Sequence, residues 1–279
     1  MAKFNGLEIS NITELNKSNV KNEFSRLVAS INLTQEENYD CTQLNVWSYR
    51  KATDIRDGIH IKFGNMCNGF PFQIDGIPFF NSECAYVAGA YAREDAENVK
   101  IQRLISQEKN GQKCKRVYRR LPEFTHYMRD DFYTYNIQWM LYVLWQKCQQ
   151  NSDFADLVKQ IPIDAHIVEN TSLHHGETAT FWGAKNRELM IARGQIEDEA
   201  ERNQYYRYKY QLAEVQMLAT NAVNNIGCFA GKNVMGKIIK ICQLSLYYNQ
   251  EPPIDYSLLI AKGVTICGNR INSPVENVV

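Results

Sequence analysis

The sequence predicts a protein that mixes amphipathic helices with a few short strands. Three observations carry this expectation. Apolar residues recur at helical spacing over 12–31, 95–108 and 129–150. Runs rich in branched and aromatic residues, at 44–49, 59–63 and 166–170, alternate or cluster as short strands do. Turn-forming residues separate them, as in Gly69-Phe70-Pro71 and Asp75-Gly76.

Composition narrows the function classes. A chain of 279 residues is one large domain or one domain with elaborations, and 44% hydrophobic and 11% aromatic residues supply a substantial core. The 31 Lys+Arg balance 31 Asp+Glu, so the formal net charge is zero. Proteins that clamp long duplex nucleic acid carry a basic excess, so that class loses weight, with room left for a local basic patch. The eight cysteines are scattered without a Cys-x-x-Cys pair, which suits reduced thiols. The start Met1-Ala2-Lys3-Phe4-Asn5-Gly6 turns polar at once, and no apolar run reaches membrane-spanning length. The expectation is a soluble cytoplasmic protein.

Taken in order, residues 1–45 read as a helical N-terminal extension built on Ile12, Leu15, Val20, Phe24, Leu27 and Ile31, a packing or dimerisation arm. Two strand-like runs follow, then a loop from Phe63 to Phe72 in which Asn65 and Asn68 sit among aromatics, placed either to bond a ligand or to form local turns. The organising stretch is 79–91. Ser82 is placed to cap a helix, and Glu83 falls in its first turn, where a negative charge suits the helix dipole. Ala85, Ala88, Gly89 and Ala90 would let backbone or a ligand approach closely. On this stretch alone Glu83 reads first as the structural acid of a capped core helix.

A second helix over 95–108 leads into 113–120, where five of eight residues are cationic. That segment reads as a solvated surface turn and is also the clearest phosphate-attracting stretch. The run 129–150 is apolar on more than one face, so its aromatics read first as core, with one or two at its N-terminal end placed to line a pocket. After a short helix at 153–160 and the strand at 166–170, His174-His175 point apart and lack further ligands at metal spacing, so no metal site is expected. The charged stretch 186–221 reads as exposed helices. Gly227 to Lys237 then feeds an apolar helix, 238–248, whose N-terminal amides offer an anion site. Pro252-Pro253 ends it, and the last 25 residues or so read as a short element and a loose tail.

Four pieces, in this order, resemble the NADAR (YbiA-like) family. They are Phe63-Gly64-Asn65-Met66; Ser82-Glu83-x-x-Tyr86 with its small-residue helix; Val168-Glu169-Asn170-Thr171 followed by Trp182-Gly183; and Gly231-Lys232-Asn233-x-x-Gly236. The helix from Phe132 to Lys147 keeps the family spacing, with Phe132 where a Trp is usual. The match spans about 46–246. It implies a compact, mostly helical α+β fold over 46–250, with a helical insertion at about 184–226 and a tail at 251–279.

The resemblance also implies an N-glycosidase that removes ADP-ribose from guanine bases in nucleic acid or nucleotides, in some members opposing an ADP-ribosyltransferase toxin. It calls for no cofactor. Carried over residue by residue, Glu83 is the first catalytic candidate, as acid/base or electrostatic stabiliser of an oxocarbenium-like sugar. Trp182 and Phe132 would stack on the base or adenine, and Asn65 and Asn233 would hold ribose hydroxyls. Gly231 and Gly236 would admit the diphosphate with Lys232 as counter-charge, and Glu169 completes the set. Three departures stand out: Ala90 replaces the family's usual Lys, Ala179 replaces an acid (with Glu177 nearby), and Ala184 replaces another. Lys62, Lys185, Lys232 and Lys237 are the replacement amines at hand, and Lys232 joins Glu83 as a catalytic candidate. The rival expectations are a catalytically silent ADP-ribose-binding module and a glycosidase of riboflavin-pathway intermediates.

Overall fold

The computed structural model describes residues 3–4, 7–8, 17–172, 174, 176–186 and 227–271. Most of the 184–226 insertion, the residues after 271 and much of the first sixteen lie outside the described residues, as does His175. Helix and strand are both present, and helix predominates. In chain order the N-terminal third holds β1 (Lys3–Phe4), β2 (Leu7–Glu8), α1 (Lys17–Ala29), β3 (Glu37–Asp40), β4 (Val46–Tyr49), β5 (Ile55–Arg56), β6 (Ile59–His60), β7 (Phe72–Ile74), β8 (Ile77–Phe79) and α2 (Ser82–Gly89). The middle holds α3 (Ala96–Gln107), α4 (Gly111–Tyr118), α5 (Pro122–Thr125), a 3-10 turn (Phe132–Thr134), α6 (Asn136–Gln150), α7 (Ser152–Gln160), β9 (His166–Glu169), α8 (Glu177–Trp182) and β10 (Lys185–Asn186). Last come β11 (Cys228–Gly231), α9 (Val234–Tyr248), α10 (Tyr256–Ala261), β12 (Thr265–Ile266) and β13 (Asn269–Arg270). Among the described residues no helix is long and apolar enough to cross a membrane.

The chain divides into two units, each built from discontinuous segments: 1–63 with 159–250, and 64–158 with 251–279. In the first, β4 and β9 pair in parallel with Val46 opposite His166 and Tyr49 opposite Glu169. All four β4 residues are buried, as befits a strand covered on both faces. The alternation expected over 44–49 is therefore absent, because this strand has no solvent face. A three-stranded antiparallel sheet, β10–β11–β3, supplies Tyr39 and Phe229 to a core with Val46, Val168 and Ala184. Helix α9 lies against β9 so closely that a Cβ on Gly236 would stand 2.1 Å from the Ile167 carbonyl oxygen. Helix α1 joins α9 through Phe24 and Tyr248, with ring centroids 6.1 Å apart. Among the described residues of the helical extension expected over 1–45, 17–29 are helical, 3–4 and 7–8 are short strands, and 37–40 form a strand whose Tyr39 is buried in the sheet.

In the second unit, β7 and β8 form a hairpin whose turn residues Asp75 and Gly76 both have positive φ, 48° and 79°, as a tight two-residue turn demands. The hairpin delivers the chain into α2. All eight residues of α2 are buried, with α3, α4 and α6 packed around it. That enclosure explains the small side chains: a Cβ on Gly89 would stand 2.1 Å from the Trp139 indole nitrogen. The helix cap falls one residue earlier than expected. Asn81, not Ser82, is the N-cap, its side chain accepting from the Cys84 amide at 3.0 Å. The basic segment also differs from expectation. It is α4 rather than a turn, because Cys114 and Tyr118, four residues apart, are buried and give the segment a helical inner face. Residues 251–271 form α10 and a β12–β13 hairpin tied to Gln102 of α3, which bonds the Thr265 carbonyl and the Cys267 amide.

Candidate active-site residues

Glu83 sits in the first turn of α2 and is 6% exposed. Its amide donates to the Asn65 carbonyl at 2.9 Å, which fixes the Phe63–Phe72 loop against the helix start. Its carboxyl accepts no hydrogen bond among the described residues. Burial raises the carboxyl pKa, and Lys115 and Arg119 of the α4 segment pull the other way. The result is a carboxylic acid that holds its proton above the usual carboxylate range while two cations stand by to stabilise the anion. Asn65 contributes a second feature: its side-chain Oδ1 is buried without a partner. A buried acceptor with no donor is costly unless something supplies one.

One turn on from Glu83, Tyr86 packs on Phe132 at 5.2 Å between ring centroids, and the Arg119 guanidinium lies 5.6 Å from its ring. Burial pushes the Tyr86 phenol up to about 12. Phe132 is fully buried among Tyr86, Tyr133 and Tyr135. It is a core residue that orients Tyr86 rather than a platform open to a base. Lys115 and Arg119 were read as part of a solvated turn; the signal that places them beside Glu83 is their i, i+4 spacing alongside Cys114 and Tyr118. Lys147, fully buried in α6, donates from Nζ to the Ser82 hydroxyl at 3.3 Å and lies 4.1 Å from the Phe154 ring centroid. Burial lowers its ammonium to about 8.

The other candidates gather in the first unit at the junction of β9, α8, β11 and α9. Asn233 adopts a left-handed conformation, φ 50°, and is fully buried. Its Oδ1 accepts from the Glu169 amide at 3.0 Å and its Nδ2 donates to the Ile167 carbonyl at 2.8 Å. Both ends of that amide are engaged in pinning the strand, and the side chain is enclosed by protein. Gly231 and Gly236 are packing glycines in the same sense. A Cβ on Gly231 would come within 2.6 Å of the Gly183 carbonyl oxygen, and one on Gly236 within 2.6 Å of Asn233 Oδ1. On the Cβ side of both glycines the close neighbour is protein.

Glu169 is half-buried at the end of β9, its carbonyl accepting from the Ala184 amide at 2.8 Å. Trp182 is half-buried at the end of α8, edge-on to Phe181 at 5.3 Å. Lys232 bonds the Thr180 carbonyl through its amide, 2.7 Å, and its ammonium lies 5.4 Å from the Phe181 ring centroid. Lys237, by contrast, is engaged by the Asn32 and Gln35 carbonyls and by Glu37, which removes it from the set of replacement amines. Ala90 is fully buried, so the place where the family's Lys is usual is packed here.

A hollow of about 630 Å³ in the second unit is lined by Arg93, Arg129, Asp131 and Arg270 among others. It includes neither Glu83 nor Asn65. Its arginines are largely neutralised, Arg129 by Asp131 at 2.9 Å and Arg270 by Glu94 at 2.6 Å.

No family profile matches the chain, and no curated protein matches it. Among solved structures, the NMR structure of the E. coli protein YbiA is similar over 56% of this chain and 90% of its own, at 19% identity and a TM-score of 0.37. A likeness at that level fixes neither fold nor chemistry.

Proposed function

We propose that the protein is an N-glycosidase that removes ADP-ribose from guanine bases, with Glu83 as general acid and base. The observation that carries this reading is the Glu83 carboxyl, buried, without a hydrogen bond among the described residues and protonated above the usual carboxylate range, beside Lys115 and Arg119. In the proposed reaction the bond from ribose C1 to the base nitrogen breaks with its electron pair going to the base. Glu83 gives its proton to that base and becomes a carboxylate, which Lys115 and Arg119 stabilise. The oxocarbenium-like sugar takes up water, and the water's proton returns to Glu83. Asn65 Oδ1 is an acceptor for a donor on the substrate. Lys232 is assigned as a second catalytic candidate in its own unit, either as counter-charge for the diphosphate or as an amine.

The test is incubation with a guanine-ADP-ribosylated oligonucleotide, followed by mass spectrometry. The expected outcome is loss of one ADP-ribose with unmodified DNA returned. Glu83→Gln abolishes that turnover while calorimetric binding of ADP-ribose is retained; equal turnover in the variant would remove Glu83 from the mechanism. Lys232→Arg separates the two roles of that residue, since a counter-charge survives the change and an amine nucleophile does not. One observation favours a second reading, a silent ADP-ribose-binding module: the packed Ala90 leaves no room for a lysine there. Tight ADP-ribose binding with an intact substrate would decide for it.

A further inference from the structure

Arg119, the residue that closes α4, carries its charge between an exposed ring and a buried one. Its guanidinium lies 5.6 Å from the ring centroid of Tyr86, which is three residues on from Glu83 and so on the same side of α2. Its Nη2 donates to the Tyr133 hydroxyl at 3.3 Å, the one side-chain acceptor it has among the described residues. Tyr133 is 64% exposed, but the 3-10 turn that carries it is anchored to α2 on both sides. Phe132 packs on Tyr86, the Arg129 amide donates to the Ala90 carbonyl at 2.8 Å, and the Tyr135 hydroxyl donates to the Gly89 carbonyl at 2.8 Å. A ring this exposed gains little from burial, so what the side chain contributes is the placement of its oxygen. Among the described residues the titratable groups that face Glu83 are Tyr86 on its own helix and Cys114, Lys115 and Arg119 of the α4 segment. Arg119 in turn is faced by Tyr86, Tyr91, Tyr133 and Glu83.

A guanidinium is always charged, and a long side chain that ends half-buried beside a neutral acid has more to gain from water than from that acid. While Glu83 holds its proton, it is no anion that could keep Arg119 turned inward. A neutral acceptor on the outer side does so without cancelling the charge, whereas an Asp or Glu at the same place would neutralise it. We propose that Tyr133 is a positioning residue, whose hydroxyl holds the Arg119 guanidinium over Tyr86 so that the cation is in place when Glu83 releases its proton. The proton goes to the leaving base, and Arg119 then faces the carboxylate left behind. The consequence for turnover rests on the glycosidase reading above; the hold on Arg119 rests on the contacts of Tyr133, Tyr86 and Glu83 alone.

The variant is Tyr133→Phe, which keeps the exposed ring and removes only its oxygen. Ionisation of Glu83 is read without substrate, by carbon NMR of protein isotopically labelled at the glutamate carboxyls, with the Glu83 signal assigned by its loss in Glu83→Gln. With the cation released, the carboxylate is less well stabilised, so the Glu83 midpoint in Tyr133→Phe should lie at higher pH than in wild type. In an Arg119→Gln background, Tyr133→Phe should move the midpoint no further, because the charge that it places is gone. Turnover of the guanine-ADP-ribosylated oligonucleotide by Tyr133→Phe should show kcat down about tenfold at its plateau, KM unchanged, and the falling alkaline limb moved to higher pH. A packing defect would lower the plateau and leave the limb where it was. An unchanged midpoint in Tyr133→Phe would overturn the proposal, as would an equal shift in the Arg119→Gln background. A wild-type protein without turnover, whose midpoint still moves in Tyr133→Phe, would sink the glycosidase reading and leave Tyr133 holding Arg119.

Discussion

Lys147→Met isolates the electrostatic cost built in beneath Ser82. The Lys147 side chain is fully buried, with its ammonium 4.1 Å from the Phe154 ring centroid, 5.2 Å from that of Phe70 and 3.3 Å from the Ser82 hydroxyl. Burial pulls its pKa from the ordinary 10.5 down to about 8. Between those values the unfolded chain holds a proton that the folded chain has released, so stability rises with pH across the window. Below about 8 both states carry the proton and the full penalty stands. The difference, 10.5 − 8, at about 1.4 kcal/mol per decade of proton affinity, amounts to about 3 kcal/mol. Methionine keeps an unbranched side chain of similar length and does not titrate. Urea unfolding of both proteins, followed by tryptophan fluorescence at a series of pH values, gives the difference in stability with the background titrations cancelled. That difference should shift in favour of wild type by about 3 kcal/mol as pH rises from about 8 to 10.5. A difference that stays flat across the window would refute the reasoning, since it would mean that the ring faces and the hydroxyl solvate the ammonium as well as water does.

Glu83 titrates with the opposite sense. Its folded pKa lies above the ordinary value, so its contribution is intact at low pH and is lost as pH rises through the folded pKa. Glu83→Gln should accordingly match wild type in acid and exceed it in stability at neutral and alkaline pH, as read by thermal unfolding; turnover of wild type should fall over the same rise. Gly236→Ala would place a Cβ 2.1 Å from the Ile167 carbonyl oxygen, a clash with backbone that a rotamer change cannot relieve. A loss on the order of 3 kcal/mol or more is expected, visible as a lower melting temperature, and a variant of wild-type stability would show that α9 does not seat on β9 as described.

Periodicity revealed the elements whose burial is one-sided and hid those buried all round. Helix α3 and the hairpin turn at Asp75-Gly76 were legible because one face, or one pair of positive-φ residues, dictates them. Strand β4 was misread as alternating because its partners cover both faces, so no polar residue marks the solvent side. The α4 segment was hidden by composition: its charges dominate the count, and the two buried positions that make it a helix, Cys114 and Tyr118, are outnumbered. The cap of α2 turned on a choice between neighbours with equal chemistry, Asn81 and Ser82. The side chain of Asn81 reached the Cys84 amide, and the Ser82 hydroxyl was left to accept from Lys147.

The same contrast separates the motif residues into two kinds. Gly231 and Gly236 read from sequence as glycines that admit a diphosphate and Asn233 as a holder of ribose hydroxyls; in the structure the Cβ side of both glycines meets protein, and the Asn233 amide bonds the backbone of β9. A glycine permits close approach but does not say what approaches, so a spacing set by strand–helix packing looks the same in sequence as one set by a ligand. Glu83 is different in kind. A carboxyl with no hydrogen bond, buried under a charged helix, costs stability and returns no packing that glutamine would not supply. Where a fold retains a group that its own packing opposes, the compensation must come from outside the packing. The unpartnered Oδ1 of Asn65, on the residue whose carbonyl holds the Glu83 amide, carries the same mark. These two adjacent costs, rather than the glycines, are what make this end of α2 the place to look for chemistry.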